Sequence, residues 1–151
     1  MDEREYNKQL IEQYPFLMPY NIWTGKPLEN YSYDFTWLDD MPNGWRKAFG
    51  LQMCEEIKQA LLEEGGEQLL NEYKIDQIKE KFGYLRWYDS WTTKKVQDII
   101  YKYEGISART CINCGKPATK ISRGWICPWC DDCASEKLED YTPISEFYDE
   151  K

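Results

Sequence analysis

The sequence predicts an α+β fold, a small helical and β-hairpin domain followed by a C-terminal zinc-ribbon module with four cysteine ligands. Three observations carry that reading. Trp45, Phe49, Met53, Ile57 and Leu61 recur at steps of four, the stripe of an amphipathic helix. Residues 75–88 alternate apolar and polar on either side of Gly83, as a hairpin does. Two Cys-x-x-Cys pairs stand close together near the C-terminus, at metal-ligand spacing.

The elements follow in chain order. Glu3 to Tyr14 sets Tyr6, Leu10, Ile11 and Tyr14 at helical spacing until Pro15 ends the pattern. Pro15 to Gly44 mixes four prolines with Phe16, Tyr20, Trp23, Tyr31, Tyr33, Phe35 and Trp37, which predicts an ordered loop with short strands packed by aromatics. The helix of Trp45 to Glu64 is expected to stop at Gly65-Gly66, with a further helical turn or two over Glu67 to Tyr73. Cys54, beside the Met53 stripe, reads as a small buried hydrophobe. In the hairpin, Ile78, Glu80 and Phe82 share one face, and Leu85 and Trp87 follow Gly83. Thr92 or Thr93 caps a helix bearing Val96, Ile99, Ile100 and Tyr103, which Gly105 closes. The resulting organisation is an α+β body over 1–105, a zinc ribbon over 106–135 and an acidic tail over 136–151, with no internal repeat.

Composition limits the chemistry. The chain has 151 residues, 42% hydrophobic and 30% charged, which suits one folded domain. No apolar run approaches the roughly 18 residues that span a bilayer, and MDEREYNKQ lacks a secretion pattern, so the cytoplasm is expected. There is no histidine, which excludes Ser-His and Cys-His nucleophiles and imidazole metal ligands. Any metal must be held by sulfur or carboxylate.

Six cysteines in a reducing compartment read as metal ligands rather than disulfides. Cys111-Ile-Asn-Cys114-Gly115-Lys116 has the form of a zinc knuckle, in which a tight turn aims two thiolates at one ion. Cys127-Pro-Trp-Cys130-Asp-Asp-Cys133 supplies three thiols for two places. Pairing Cys130 with Cys133 leaves 15 residues after Cys114, the ribbon spacing, and favours Cys111, Cys114, Cys130 and Cys133. Pairing Cys127 with Cys130 leaves 12 and keeps Cys127 as an alternative ligand. Four sulfurs make a closed, structural site, for zinc in the first instance and for iron as the alternative. A redox dithiol at Cys127-Pro-Trp-Cys130 is disfavoured, because that motif belongs after the first strand of a βαβ unit. A deaminase-type zinc site lacks its glutamate beside Cys111. Adjacent acids such as Asp39-Asp40 and Glu55-Glu56 point about 100° apart on a helix and line a solvated face.

Charge is uneven. Residues 106–130 contain Arg109, Lys116, Lys120 and Arg123 and no carboxylate, whereas the chain as a whole is net −8. The four cations, with Trp125 for stacking, are the candidate contacts of a nucleic-acid-binding ribbon. Trp23, Tyr31, Tyr33, Trp37, Trp87 and Trp91 are the candidate aromatics of a protein-binding surface, or of a pocket that sequesters a nucleotide signal.

The strings Asp39-Asp-Met-Pro-Asn-Gly-Trp-Arg-Lys-Ala-Phe-Gly50, Ile78-Lys-Glu-Lys-Phe-Gly83 with Leu85-Arg-Trp-Tyr88, and Ser107-Ala-Arg-Thr-Cys111 with Cys114-Gly resemble a family of small bacteriophage and prophage proteins, mostly without an assigned function. The likeness runs from about Pro15 to Cys133. In such proteins a tryptophan precedes a terminal Cys-x-x-Cys or Cys-x-x-His, matched here by Trp125, Cys130 and Cys133, and Cys127 is an addition. The resemblance implies a non-enzymatic, zinc-stapled protein that binds a host bacterial protein, such as a CRISPR or other immune effector, and inhibits it.

Overall fold

The computed structural model describes residues 2–134 and 141–149. Helix α1 (Glu3–Gln13) is capped by Asp2, whose carboxylate accepts the Glu5 N–H at 2.8 Å. It buries Leu10 and Ile11, but Tyr6 faces solvent; Asn7 takes the inward place and donates to the Tyr33 carbonyl at 2.9 Å. The following aromatic segment holds no regular strand. It contains two 3₁₀ turns, Pro15–Leu17 and Trp37–Asp40, and a single bridge between Tyr20 and Pro27. The prolines that limit the segment to turns also remove the N–H groups a ladder needs.

The central helix begins as α2 (Asn43–Trp45), passes through a π-turn at Arg46–Gly50 and continues as α3 (Leu51–Glu72). Trp45, Phe49, Met53, Ile57 and Leu61 are all buried, as the stripe requires. A strict step of four drifts by about 40° per step on a 3.6-residue helix. The wider π-turn rotates the start of the stripe back towards the core. Gly66 (φ +69°, ψ −161°) breaks the helix where the sequence expects a stop, and the further helical turns beyond it bury Leu70 and bring in Tyr73. Cys54 is fully buried among these side chains, and burial pushes its thiol well above the ordinary range.

Strands β1 (Ile75–Lys81) and β2 (Tyr84–Asp89) form the expected antiparallel hairpin, with Ile78 opposite Trp87 and a register shift between Ile75 and Gln77. Ile75, Ile78, Leu85 and Trp87 enter the core. Phe82 does not join them. It shares the two-residue turn with Gly83, both at positive φ, and is exposed. Thr93 caps helix α4 (Lys94–Ser107), accepting from the Val96 N–H at 3.2 Å. Gly105 leaves the helix intact, so α4 runs two residues past the expected close and crosses from the body into the ribbon segment.

The ribbon carries a second sheet. Strands β3 (Lys120–Ser122) and β4 (Pro128–Trp129) pair antiparallel, and β5 (Tyr141–Pro143) adds to the other edge of β3. A short helix, α5 (Ile144–Asp149), follows. Part of the stretch read as a solvated tail is therefore paired chain, because β3 offers it an open row of backbone donors and acceptors. The tail residues 136–140, 150 and 151, and Ser135 of the expected ribbon, lie outside the described residues. Ile112 and Cys127 belong to the same core as Trp45, Leu61 and Ile100, so body and ribbon are packed as one unit. No described helix is long and apolar enough to cross a membrane.

Candidate metal centre

The knuckle begins where α4 ends. Thr110 bridges to Pro117, and between them the Cys111 N–H donates to the Lys116 carbonyl at 2.8 Å and the Gly115 N–H to the Cys111 carbonyl at 3.1 Å. Gly115 has φ +87°, and a Cβ there would lie 2.7 Å from the Gly44 carbonyl oxygen, so both conformation and space require glycine. The second half of the centre leaves the sheet at Trp129. Asp131 accepts from the Thr119 hydroxyl at 2.6 Å, and the Ala134 N–H donates to the Cys130 carbonyl at 3.0 Å, which folds Cys130 and Cys133 back over the knuckle.

The sulfurs of Cys111, Cys114, Cys130 and Cys133 all lie within 4.8 Å of one another. Cys114 and Cys130 approach to 3.5 Å. A disulfide would need about 2.05 Å, whereas four ligands about 2.3 Å from a tetrahedral ion sit about 3.8 Å apart. The donor set therefore fits a tetrahedral thiolate centre and not a pair of disulfides. Burial raises the Cys111 thiol, but backbone N–H groups of Cys114, Cys130 and Asn113 donate to its sulfur and hold it down at about 7. Asn113 Nδ2 reaches the Cys133 sulfur at 3.4 Å. N–H donors directed at sulfur are what a thiolate ligand needs to share its charge.

Cys127 stands apart. Its N–H donates to Ser122 Oγ at 3.2 Å, its side chain is buried in the hydrophobic core, and burial together with the Glu80 carboxylate pushes its thiol up to about 12. Chain spacing alone left it a candidate; the inward face of the β3–β4 connection removes it from the cluster.

The candidate nucleic-acid contacts each have a partner within the chain. The Arg109 guanidinium lies 4.8 Å over the Tyr148 ring. Lys116 pairs with Asp132 at 3.2 Å, Lys120 with Asp131 at 3.7 Å, and Arg123 Nε donates to Thr142 Oγ1 at 2.8 Å. Trp125 donates to Glu80 at 2.9 Å and stacks edge-on against Trp129.

The candidate aromatics divide. Trp87 is core, with its Nε1 on the Tyr73 hydroxyl at 3.0 Å, and cannot serve a surface. Strand alternation put large rings on both faces of β2, and the wider pattern could not say which face was covered. Tyr31 and Tyr33 are half-buried against each other, and Tyr31 donates to the Phe35 carbonyl. Trp37 is half-buried against Tyr20, and its Nε1 is enclosed without a partner among the described residues. Trp91 packs edge-on against Tyr73. Trp23 alone of the six is almost fully open, at 90% exposure, with Ile22 beside it at 55%. The open cleft lined by Ile22, Trp37, Ile78 and Tyr88 also holds Asp40 and Asp76, two carboxylates that would repel a nucleotide's phosphates.

Compared with protein-family models, curated proteins and solved structures, the chain matches none, so what stands from the phage resemblance is its C-terminal cluster of four cysteines, a donor set able to hold a metal ion.

Proposed function

We propose that this protein is a non-enzymatic, zinc-stabilised interaction protein that binds and inhibits a host bacterial protein, the role its resemblance to phage accessory proteins implies. The observation that carries the reading is the convergence of four sulfurs on one point. Zinc held there has its four tetrahedral positions filled by protein, which leaves none for water or substrate and makes the ion a staple.

Recognition falls to the surface. Trp23 and Ile22 offer an exposed apolar anchor, and the chain's net charge of −8 favours a basic partner groove. Nucleic acid is a weaker reading because the basic residues of the ribbon already have partners, two of them carboxylates. The test is elemental analysis of the purified protein followed by affinity capture from a lysate of the bacterial host. One zinc per chain and a retained basic host protein, lost on Trp23→Ala, support the proposal. Absence of bound metal, or a turnover that vanishes when one cluster cysteine is changed in a still-folded chain, overturns it.

A further inference from the structure

Residues 20–27 repeat the knuckle of residues 110–117. The two stretches read Tyr-Asn-Ile-Trp-Thr-Gly-Lys-Pro and Thr-Cys-Ile-Asn-Cys-Gly-Lys-Pro, and Ile, Gly, Lys and Pro recur at the same places. The backbones match as closely. Tyr20 bridges to Pro27 as Thr110 does to Pro117. The Asn21 N–H donates to the Lys26 carbonyl at 2.8 Å, as Cys111 does to Lys116 at 2.8 Å. The Gly25 N–H donates to the Asn21 carbonyl at 2.8 Å, as Gly115 does to Cys111 at 3.1 Å. Both glycines have positive φ, +71° and +87°.

The side chains at the ligand positions correspond in what they accept. Cys111 Sγ takes the backbone N–H groups of Asn113 and Cys114 within the turn, besides that of Cys130 from the second half of the centre. Asn21 Oδ1 takes those of Trp23 and Thr24, at 2.8 and 3.2 Å. Thr24 Oγ1 takes the Lys26 N–H at 3.2 Å. The likeness extends to the second half of the centre. Trp37-Leu38-Asp39-Asp40-Met41 parallels Trp129-Cys130-Asp131-Asp132-Cys133, and Leu38 and Met41, in the places of the two sulfurs, are buried in the core.

We infer that residues 20–41 are a second copy of the ribbon's ligand-bearing segments in which no ion is needed: side-chain oxygens of Asn21 and Thr24 replace the sulfurs as N–H acceptors, and Leu38 and Met41 replace the other two ligands with apolar contact. A thiolate bound to an ion and a neutral amide oxygen present the same acceptor to a turn's N–H groups. Oxygen does so without a counter-charge, so this copy keeps its shape when metal is absent. At the place of Asn113, whose amide reaches across to Cys133, this copy carries the open Trp23.

The inference is tested by amide exchange on the full chain. In wild-type protein loaded with zinc, Trp23 and Thr24 amides are protected, and Asn21→Ala raises their exchange roughly tenfold, the loss of about one hydrogen bond each. Asn21→Asp, which keeps an acceptor oxygen, leaves them protected, and both variants hold the same metal as wild type. After a chelator strips the metal, Asn113 and Cys114 amides open while Trp23 and Thr24 stay closed. Unchanged protection in Asn21→Ala overturns the inference, as does a second zinc per wild-type chain. The Asn21 comparison reads the same whether or not the C-terminal cluster proves to bind metal, so its failure is separate from failure of the zinc reading.

Discussion

The Gly44 N–H donates to the Ile112 carbonyl at 2.8 Å, joining the start of the central helix to the middle of the cysteine knuckle. A Cβ on Gly44 would lie 2.1 Å from the Cys111 carbonyl oxygen and 2.6 Å from the Ile112 carbonyl group. Those neighbours are backbone and cannot swing aside. Gly44→Ala therefore pushes the knuckle off the helix, at a cost of about 3 kcal/mol by the usual scale of overpacking. Its urea midpoint should fall and zinc should leave it at a lower chelator concentration. Gly105→Ala is the control: nothing lies within 4 Å of its Cβ and it sits inside α4, so it should gain about 0.5–1 kcal/mol.

The cysteines should separate into two classes. Cys114→Ser and Cys133→Ser remove ligands from a four-sulfur set and should abolish stoichiometric zinc binding, read by elemental analysis after gel filtration. Cys127→Ala should retain the metal and lose about 1–2 kcal/mol of stability, since it empties part of the core beside Trp129. Native alkylation gives a second reading. Cys54 and Cys127 are buried in the core, so they should stay unmodified at pH 8 in the metal-stripped protein while the half-buried Cys114 and Cys133 react.

Alkaline pH should unfold the protein ahead of any effect on surface charge. Burial, reinforced by a carboxylate acceptor, raises Tyr14 on Glu55, Tyr73 on Asp89 and Tyr103 on Glu56 above the ordinary phenol value of 10.0. Burial and Glu80 likewise raise Cys127 from 9.0 to about 12. For each, the folded chain favours the protonated group. The stabilisation is whole below the unfolded value and is lost as pH climbs through the folded one. The urea midpoint should fall steadily above pH 9. Tyr103→Phe should lower the midpoint at pH 7 and flatten the alkaline fall.

The stripe of the central helix and the β1–β2 hairpin were legible because periodicity reports directly on which residues are buried. Cysteine spacing brought forward four sulfurs that the fold does gather. Gly65-Gly66 was legible as a break because glycine takes the positive φ of Gly66 without a steric penalty, and the turns beyond it resume helical form and bury Leu70. Trp87 misled because a strand with rings on both faces does not announce its covered side. The pairing of Tyr141–Pro143 on β3 was invisible to charge counting, which sees carboxylates and not backbone hydrogen bonds. The repeat at residues 20–27 is hidden in the sequence for a related reason: the two cysteines that mark a knuckle are replaced there by Asn21 and Thr24.

The basic residues of the ribbon supply the last prediction. Lys116 and Lys120 face Asp132 and Asp131 across exposed ion pairs, and exposed pairs of this kind contribute little to stability. Their consequence is for binding, because a phosphate approaching either lysine meets a carboxylate first. Arg109 lies over the Tyr148 ring and Arg123 is held by Thr142, so neither extends freely towards a backbone. Four phosphate contacts would give a salt slope of about −3.6 in log affinity. The wild-type protein should instead show no shift of duplex or single-stranded DNA at 50 mM salt. Asp131→Asn with Asp132→Asn removes the competing carboxylates, and weak binding that disappears by 200 mM salt should then emerge. Strong salt-dependent binding by the wild type would mean that phosphate displaces both aspartates, and the ribbon would then have to be read as a nucleic-acid surface.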